Sequence, residues 1–424
     1  MKLDIETGSR IKLKHKQKGE AKEFEGTLIE SHDPSIILIK LKTGYNIGFS
    51  KNEVEIKVLE KAKEKKEKEQ GIEQDKKLPS IAIIVTGGTI ASKVDYETGG
   101  VSANPEISSL LRNIPGLEQI ARINQIEVPF LELSGNINSD HWKKLAKKTC
   151  ELINKKENKG VVILHGTDTM HYTSAALAFM LKDLGKPVVL TYSQRSIDRG
   201  SSDANLNLKC AFHAALSNIG EVVVVGHASS DDECCFAFRG SSVRKMHSSR
   251  RDTFKAINQE PLAKIYENGN IEKISEYNKR DETKKTKVET EFEEKIALIK
   301  VYPGQDPEIL EYYLKKGYKG IVLEGTGFGH TCVEGELSWL PMVKIATSKA
   351  LVVMTTQCIY GEVNPNVYTY GRLLEKAGIL YLNLTAEAAY VKLGCMLGKE
   401  KNLELAKILM KKNIAHEFNE RRIE

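Results

Sequence analysis

Apolar and polar positions alternate in three different ways along the chain. Over residues 1–59, short runs rich in Ile, Leu and Val at 10–13, 24–30, 35–42, 45–49 and 54–58 are parted by glycines and by Asp33-Pro34. Runs bounded in this way predict five strands with tight turns, closing into a small β-barrel. Residues 60–79 interleave Lys and Glu with no apolar stripe to bury, which predicts a solvated, charged linker. From residue 80 apolar runs recur at 81–85, 161–164, 187–192, 221–226, 296–301, 320–323 and 350–354, with amphipathic segments between most of them. Strands alternating with helices predict an α/β fold around a mainly parallel, doubly wound sheet. A polar stretch at 268–294 breaks the alternation, so the body divides into a larger α/β domain at 80–267 and a smaller one at 295–424.

Two of the apolar runs end alike. Ile81 to Val85 stops at Thr86-Gly87-Gly88-Thr89-Ile90-Ala91-Ser92, and Val161 to Leu164 stops at His165-Gly166-Thr167-Asp168-Thr169-Met170. An apolar segment at 174–184 that suits a helix follows the second. Glycine lets the backbone turn sharply and approach a ligand, and in open α/β sheets ligands collect outside the carboxyl ends of strands. Thr89 and Thr167 are thus presented at one edge, with the carboxylate of Asp168 beside the second.

Composition narrows the classes. Apolar content of 41% and charged content of 28% are those of an ordinary globular protein, and 424 residues call for two or three domains. The net charge of +6, set against 63 basic and 57 acidic side chains, permits a nucleic-acid partner without announcing one. Barrels of the SH3-like or Sm-like kind bind RNA, peptides or nothing, so the N-terminal unit adds only an analogy. Seven scattered cysteines without Cys-x-x-Cys point to a reducing, cytoplasmic setting, and the histidines form no His-Glu-x-x-His, so no metal site is expected. No apolar run approaches the roughly 20 residues of a membrane span. Gly325-Thr326-Gly327-Phe328-Gly329 lacks the ending of a P-loop and reads as a glycine-rich turn after a strand.

An amide carbon is a poor electrophile and a threonine hydroxyl a poor nucleophile. Hydrolysis through threonine therefore needs a base and donors for the developing oxyanion. Amides around Gly87, Gly88 and Gly166 are candidate donors. A buried lysine could be the base, and Lys245 in Arg244-Lys245-Met246-His247 is one candidate; residue patterns alone also allow a solvated lysine in a basic loop with Arg250 and Arg251.

The two glycine-threonine motifs and Lys245 resemble the signature motifs and catalytic lysine of the L-asparaginase/glutaminase family, over about residue 80 to the C-terminus. The resemblance implies a two-domain α/β body that hydrolyses side-chain amides through an acyl-threonine. By motif, Thr89 resembles the first catalytic threonine, and Thr167, Asp168 and Lys245 the Thr-Asp-Lys group. Tyr96 resembles the mobile-loop tyrosine, and Ser134 the serine on the substrate α-carboxylate. Family members often carry Gln after that serine, where this chain has Gly135, which leaves room for a longer substrate.

An N-terminal barrel ahead of such a body resembles the asparaginase-like subunits of archaeal glutamyl-tRNA(Gln) amidotransferases. That resemblance implies a glutaminase supplying ammonia to a separate E subunit, which binds Glu-tRNA(Gln) and uses ATP and Mg. No cofactor is then expected in this chain; the family's use of the 323–330 region implies a homodimer at least, and the amidotransferase resemblance places it within a heterotetramer. A free-standing L-asparaginase with an accessory barrel, and a non-catalytic RNA-binding scaffold, are the competing readings. A gated glutaminase would close its site with the loop at 92–104 that carries Tyr96.

Overall fold

The computed structural model describes all residues except 1–4, 6–7, 18–19, 30, 32, 34, 42–45, 62–74, 95–100, 104–113, 115, 197–201 and 420–424. Tyr96 and most of the charged linker lie outside the described residues.

The N-terminal unit is a five-stranded antiparallel sheet with spatial order Asn46–Ser50, Ile36–Leu41, Glu20–Ile29, Arg10–Gln17, Val54–Glu60. Period-2 patterning turns Ile11, Leu13, Leu28, Ile37, Ile39 and Phe49 onto one face, where they form a separate small core. A 3-10 turn at Lys51–Glu53 carries the chain into the last strand.

The larger α/β domain is built on an eight-stranded sheet. Five strands are parallel, in the order Val222–His227, Val188–Thr191, Asn158–Leu164, Ser80–Val85, Arg122–Glu127. Ser80–Val85 is buried along its whole length, as a central parallel strand covered on both faces must be. Beyond Val222–His227 the sheet continues with Cys234–Arg239, Ala263–Tyr266 and Ile271–Lys273, all antiparallel. The sheet is therefore more mixed than the alternation of strands and helices predicts, and it runs past residue 267. The interval 228–275 holds hairpins, whose short segments leave no helical period in the sequence.

The helix after the second motif spans Met170–Met180, starting four residues earlier than 174. It ends at Met180 because Leu181–Lys182 turns into a short strand against Lys287–Val288, so the polar stretch at 268–294 is threaded back onto the body. The smaller domain has a four-stranded parallel sheet, Ile296–Lys300, Gly320–Gly325, Leu351–Thr356, Leu380–Tyr381. Its helix Ala386–Lys399 joins the same hydrophobic core as Met170–Met180 of the larger domain. No described helix is long and apolar enough to cross a membrane.

Candidate active site

The two motifs meet because their strands are parallel neighbours in register, Val85 opposite Leu164. The exits are tied together as well: Thr86 donates both its amide, at 3.0 Å, and its hydroxyl, at 2.9 Å, to the Leu164 carbonyl. Gly87 and Gly88 have φ of +115° and +81°, in the left-handed region that glycine takes without a Cβ penalty. A Cβ on Gly88 would lie 2.4 Å from the Gly166 Cα, and one on Gly166 would lie 2.9 Å from the Ser134 side chain. Three backbone segments thus close on one another at the strand edge, and only glycine fits where they touch.

Thr89 leaves this junction at the start of the 3-10 turn Thr89–Ala91 and is half-buried. Thr167 and Asp168 lie just beyond Gly166, ahead of the helix Met170–Met180. Ser134, buried in the turn Ser134–Asn136, accepts from the Asp168 amide with its hydroxyl at 3.2 Å, and its carbonyl accepts from the Thr169 hydroxyl at 2.6 Å. Ser134 therefore fixes the turn that presents Thr167 and Asp168, a part the sequence pattern does not reveal.

Lys245 arrives from a distance in sequence. It ends the three-residue strand Val243–Lys245, paired only with Phe254–Ala256. Its Nζ lies 2.8 Å from Thr167 Oγ1 and 2.7 Å from Asp168 Oδ1, with the lysine side chain 12% exposed. The alternative of a solvated basic loop does not describe this geometry. The neighbouring arginines have other partners: Arg250 pairs with Asp252 and Arg251 with Asp232.

Two neutral histidines back the site. Burial lowers the His165 pKa to about 4, partly offset by its 2.6 Å bond with the Gly166 carbonyl. His171 is pushed down to about 3 by burial, with the Arg244 and Lys245 charges acting in the same direction. Among the described residues no group of three or more His, Cys, Asp or Glu side chains is placed to hold a metal.

This arrangement can carry out nucleophilic hydrolysis: a hydroxyl, a primary amine within hydrogen-bond reach of it, and a carboxylate orienting the amine. Residues 80–278 match the Asparaginase, N-terminal family model, residues 295–410 match the Glutaminase/Asparaginase C-terminal domain, and residues 5–59 match the GatD N-terminal domain. The D subunit of the glutamyl-tRNA(Gln) amidotransferase of Pyrococcus furiosus is 46% identical over 423 residues, covering 98% of this chain and 95% of that protein. This chain belongs to the family of glutamyl-tRNA(Gln) amidotransferase D subunits. The family's D subunit from Methanothermobacter thermautotrophicus is 43% identical over 405 residues, covering 94% of this chain and 91% of that protein. Of solved structures, the thermostable L-asparaginase from Thermococcus kodakarensis superposes with a TM-score of 0.71 at 30% identity, over 81% of this chain and all of that one. L-asparaginase I from Vibrio cholerae gives 0.70 at 29%, over 81% and 99%. The family thus shares the asparaginase body, and the N-terminal unit sets it apart.

Proposed function

We propose that this chain is the ammonia-generating component of an amidotransferase. It hydrolyses the side-chain amide of glutamine and passes the ammonia to an E subunit, which uses ATP and Mg to convert Glu-tRNA(Gln) to Gln-tRNA(Gln). The observation that carries the chemistry is the Lys245 amine set between Thr167 and Asp168. The name shared by relatives over nearly the full chain supports an amidotransferase that acts with tRNA.

In the proposed reaction a threonine hydroxyl, Thr89 or Thr167, attacks the amide carbon and forms an ester as ammonia departs. Water then cleaves the ester to glutamate and regenerates the threonine. Lys245 takes the hydroxyl proton and delivers it to the departing amide nitrogen, while Asp168 orients it. The amides of Gly87, Gly88 and Gly166 are the candidates for stabilising the oxyanion, and such donors act strongly because they are fixed beforehand. Ser134 holds the substrate α-carboxylate, and Tyr96, which lies outside the described residues, is assigned to substrate binding by its motif alone. The chain itself needs no cofactor, works in the cytoplasm, and forms a homodimer within a heterotetramer.

The test is amide-labelled glutamine. With the E subunit, Glu-tRNA(Gln) and ATP, label should appear in Gln-tRNA(Gln), and hydrolysis should be much faster than by the chain alone. Rapid asparagine hydrolysis indifferent to partner and tRNA would instead establish a free-standing asparaginase. Deleting residues 1–77 should impair transamidation and spare basal hydrolysis if the barrel meets the partner or the tRNA; equal transamidation would make it dispensable.

A further inference from the structure

The strand that carries Lys245 stands apart from the main sheet. Val243–Lys245 and Phe254–Ala256 form an isolated two-stranded ribbon outside the eight-stranded sheet. A two-stranded ribbon of this length is marginal by itself, so what orients Lys245 must come from outside it.

Side chains alternate across a strand, so Arg244 faces away from Lys245. There it meets Glu387, with Nη2 at 3.2 Å from Oε1. Glu387 belongs to the smaller domain, in the first turn of the helix Ala386–Lys399, where the helix dipole favours a carboxylate. Its side chain is 9% exposed. The same Oε1 lies 3.8 Å from the Nε2 of His171, which is three residues past Asp168 in the helix leaving the second motif. One buried carboxylate therefore pairs with the Lys245 ribbon and packs against the uncharged His171 ring of the helix that follows Thr167 and Asp168. The Thr385 hydroxyl and the Glu387 backbone also act on this carboxylate, and Arg244 is the cation that faces it.

We propose that Glu387 is a positioning residue: through its ion pair with Arg244, and packed against the uncharged His171 ring, it holds the Lys245 ribbon against the turn bearing Thr167 and Asp168, so that the smaller domain sets the geometry of the larger domain's site. This inference rests on the roles given above to Lys245 and Thr167. The C-terminal segment supports the same ribbon, since Ser241 Oγ donates to the Ala415 carbonyl at 2.9 Å and Gln259 Nε2 to the His416 carbonyl at 2.9 Å. Backbone bonds from Ile257 N to Ser242 O at 2.9 Å and from Met246 N to Thr253 O at 2.7 Å hold the ribbon together on either side, and Arg244 adds its tie to the other domain.

The test compares Glu387→Gln, Arg244→Met, the double variant and Lys245→Ala in the full-length chain, assayed with the E subunit and tRNA. Loss of the clamp should lower kcat about 10- to 100-fold with KM little changed, because substrate contacts stay while the reacting groups lose alignment. The double variant should be no worse than the less active single, whereas independent structural losses would multiply. Arg244→Lys, which keeps a cation on the carboxylate, should recover part of kcat. If Glu387→Gln does not fold, Arg244→Met and Arg244→Lys read the same clamp from a partly exposed side chain. Wild-type kcat in Arg244→Met beside an inactive Lys245→Ala would overturn the positioning role and leave the site chemistry standing. A fully active Lys245→Ala would overturn the chemistry itself.

Discussion

Gly88→Ala tests whether the closeness of the two motifs is what makes the site. At φ +81° an alanine pays the left-handed penalty of about 1–2 kcal/mol. Its Cβ would also stand 2.4 Å from the Gly166 Cα and 2.5 Å from the Gly166 nitrogen. Ordinary carbon contacts begin at about 3.5 Å, so the strand exits must part by about 1 Å. Neither wall is a flexible side chain, and Gly166 is itself backed by Ser134, so the displacement passes to Thr89 or Thr167. A misplacement of about 1 Å costs on the order of a hundredfold in rate, near 2.7 kcal/mol of transition-state stabilisation. Gly304→Ala separates strain from clash: its φ is also +81°, but nothing lies within 4 Å of a Cβ there. Steady-state glutamine hydrolysis should fall about a hundredfold in Gly88→Ala and stay at the wild-type rate in Gly304→Ala, while thermal unfolding shows both folded. Wild-type hydrolysis by Gly88→Ala would refute the reasoning.

Acid should destabilise the fold through the two buried histidines. Their folded-state pKa values of about 4 and about 3 lie below the ordinary 6.5, so the unfolded chain binds more protons as pH falls from 6.5. Each ring then removes about 1.4 kcal/mol per pH unit until its folded pKa is reached; a melting temperature flat from pH 6.5 to 4.5 would contradict this. Gly135→Gln places a side chain where no atom lies within 4 Å of the Cβ, so it should fold normally and shift relative kcat/KM toward asparagine. One methylene limits that shift to about 1–3 kcal/mol, and an unchanged ratio removes the specificity argument. Lys392→Met strips the fully buried Nζ from the Met410 and Lys412 carbonyls and from Glu417. Breaking such a pair costs about 3–5 kcal/mol, read as a lower melting temperature; an unchanged one would show that the C-terminal segment is held by other contacts.

Much of the catalytic edge is legible in the sequence because each motif is local. An apolar strand, a glycine stop and a hydroxyl residue lie within a dozen positions, and parallel pairing then brings Thr86 and Leu164 together. Lys245 can be chosen only by resemblance, since its 2.8 Å approach to Thr167 spans 78 residues and leaves no spacing to count. Glu387 is out of reach for the same reason: a Glu in the first turn of a helix is ordinary, and only tertiary packing sets it beside Arg244. The antiparallel end of the sheet escapes a reading of the pattern because Cys234–Arg239 and Ala263–Tyr266 are short apolar runs, which periodicity does not distinguish as parallel or antiparallel.

Two of the body's lysine-carboxylate contacts, Lys392–Glu417 and Lys245–Asp168, differ in a way that separates chemistry from architecture. Lys392 and Glu417 are fully buried, and the ammonium is completed by two carbonyls, so every donor is committed and the pair can only hold structure. Lys245 pairs with an Asp168 whose side chain is 74% exposed. Exposed pairs contribute about 0–1 kcal/mol to stability, so folding alone gives little reason to bring a lysine from a distant ribbon to this carboxylate. What the contact does achieve is to aim Nζ at the Thr167 hydroxyl while leaving the carboxylate open to solvent and substrate. The ribbon stands outside the main sheet, which is why its placement is traced to the carboxylate of the other domain.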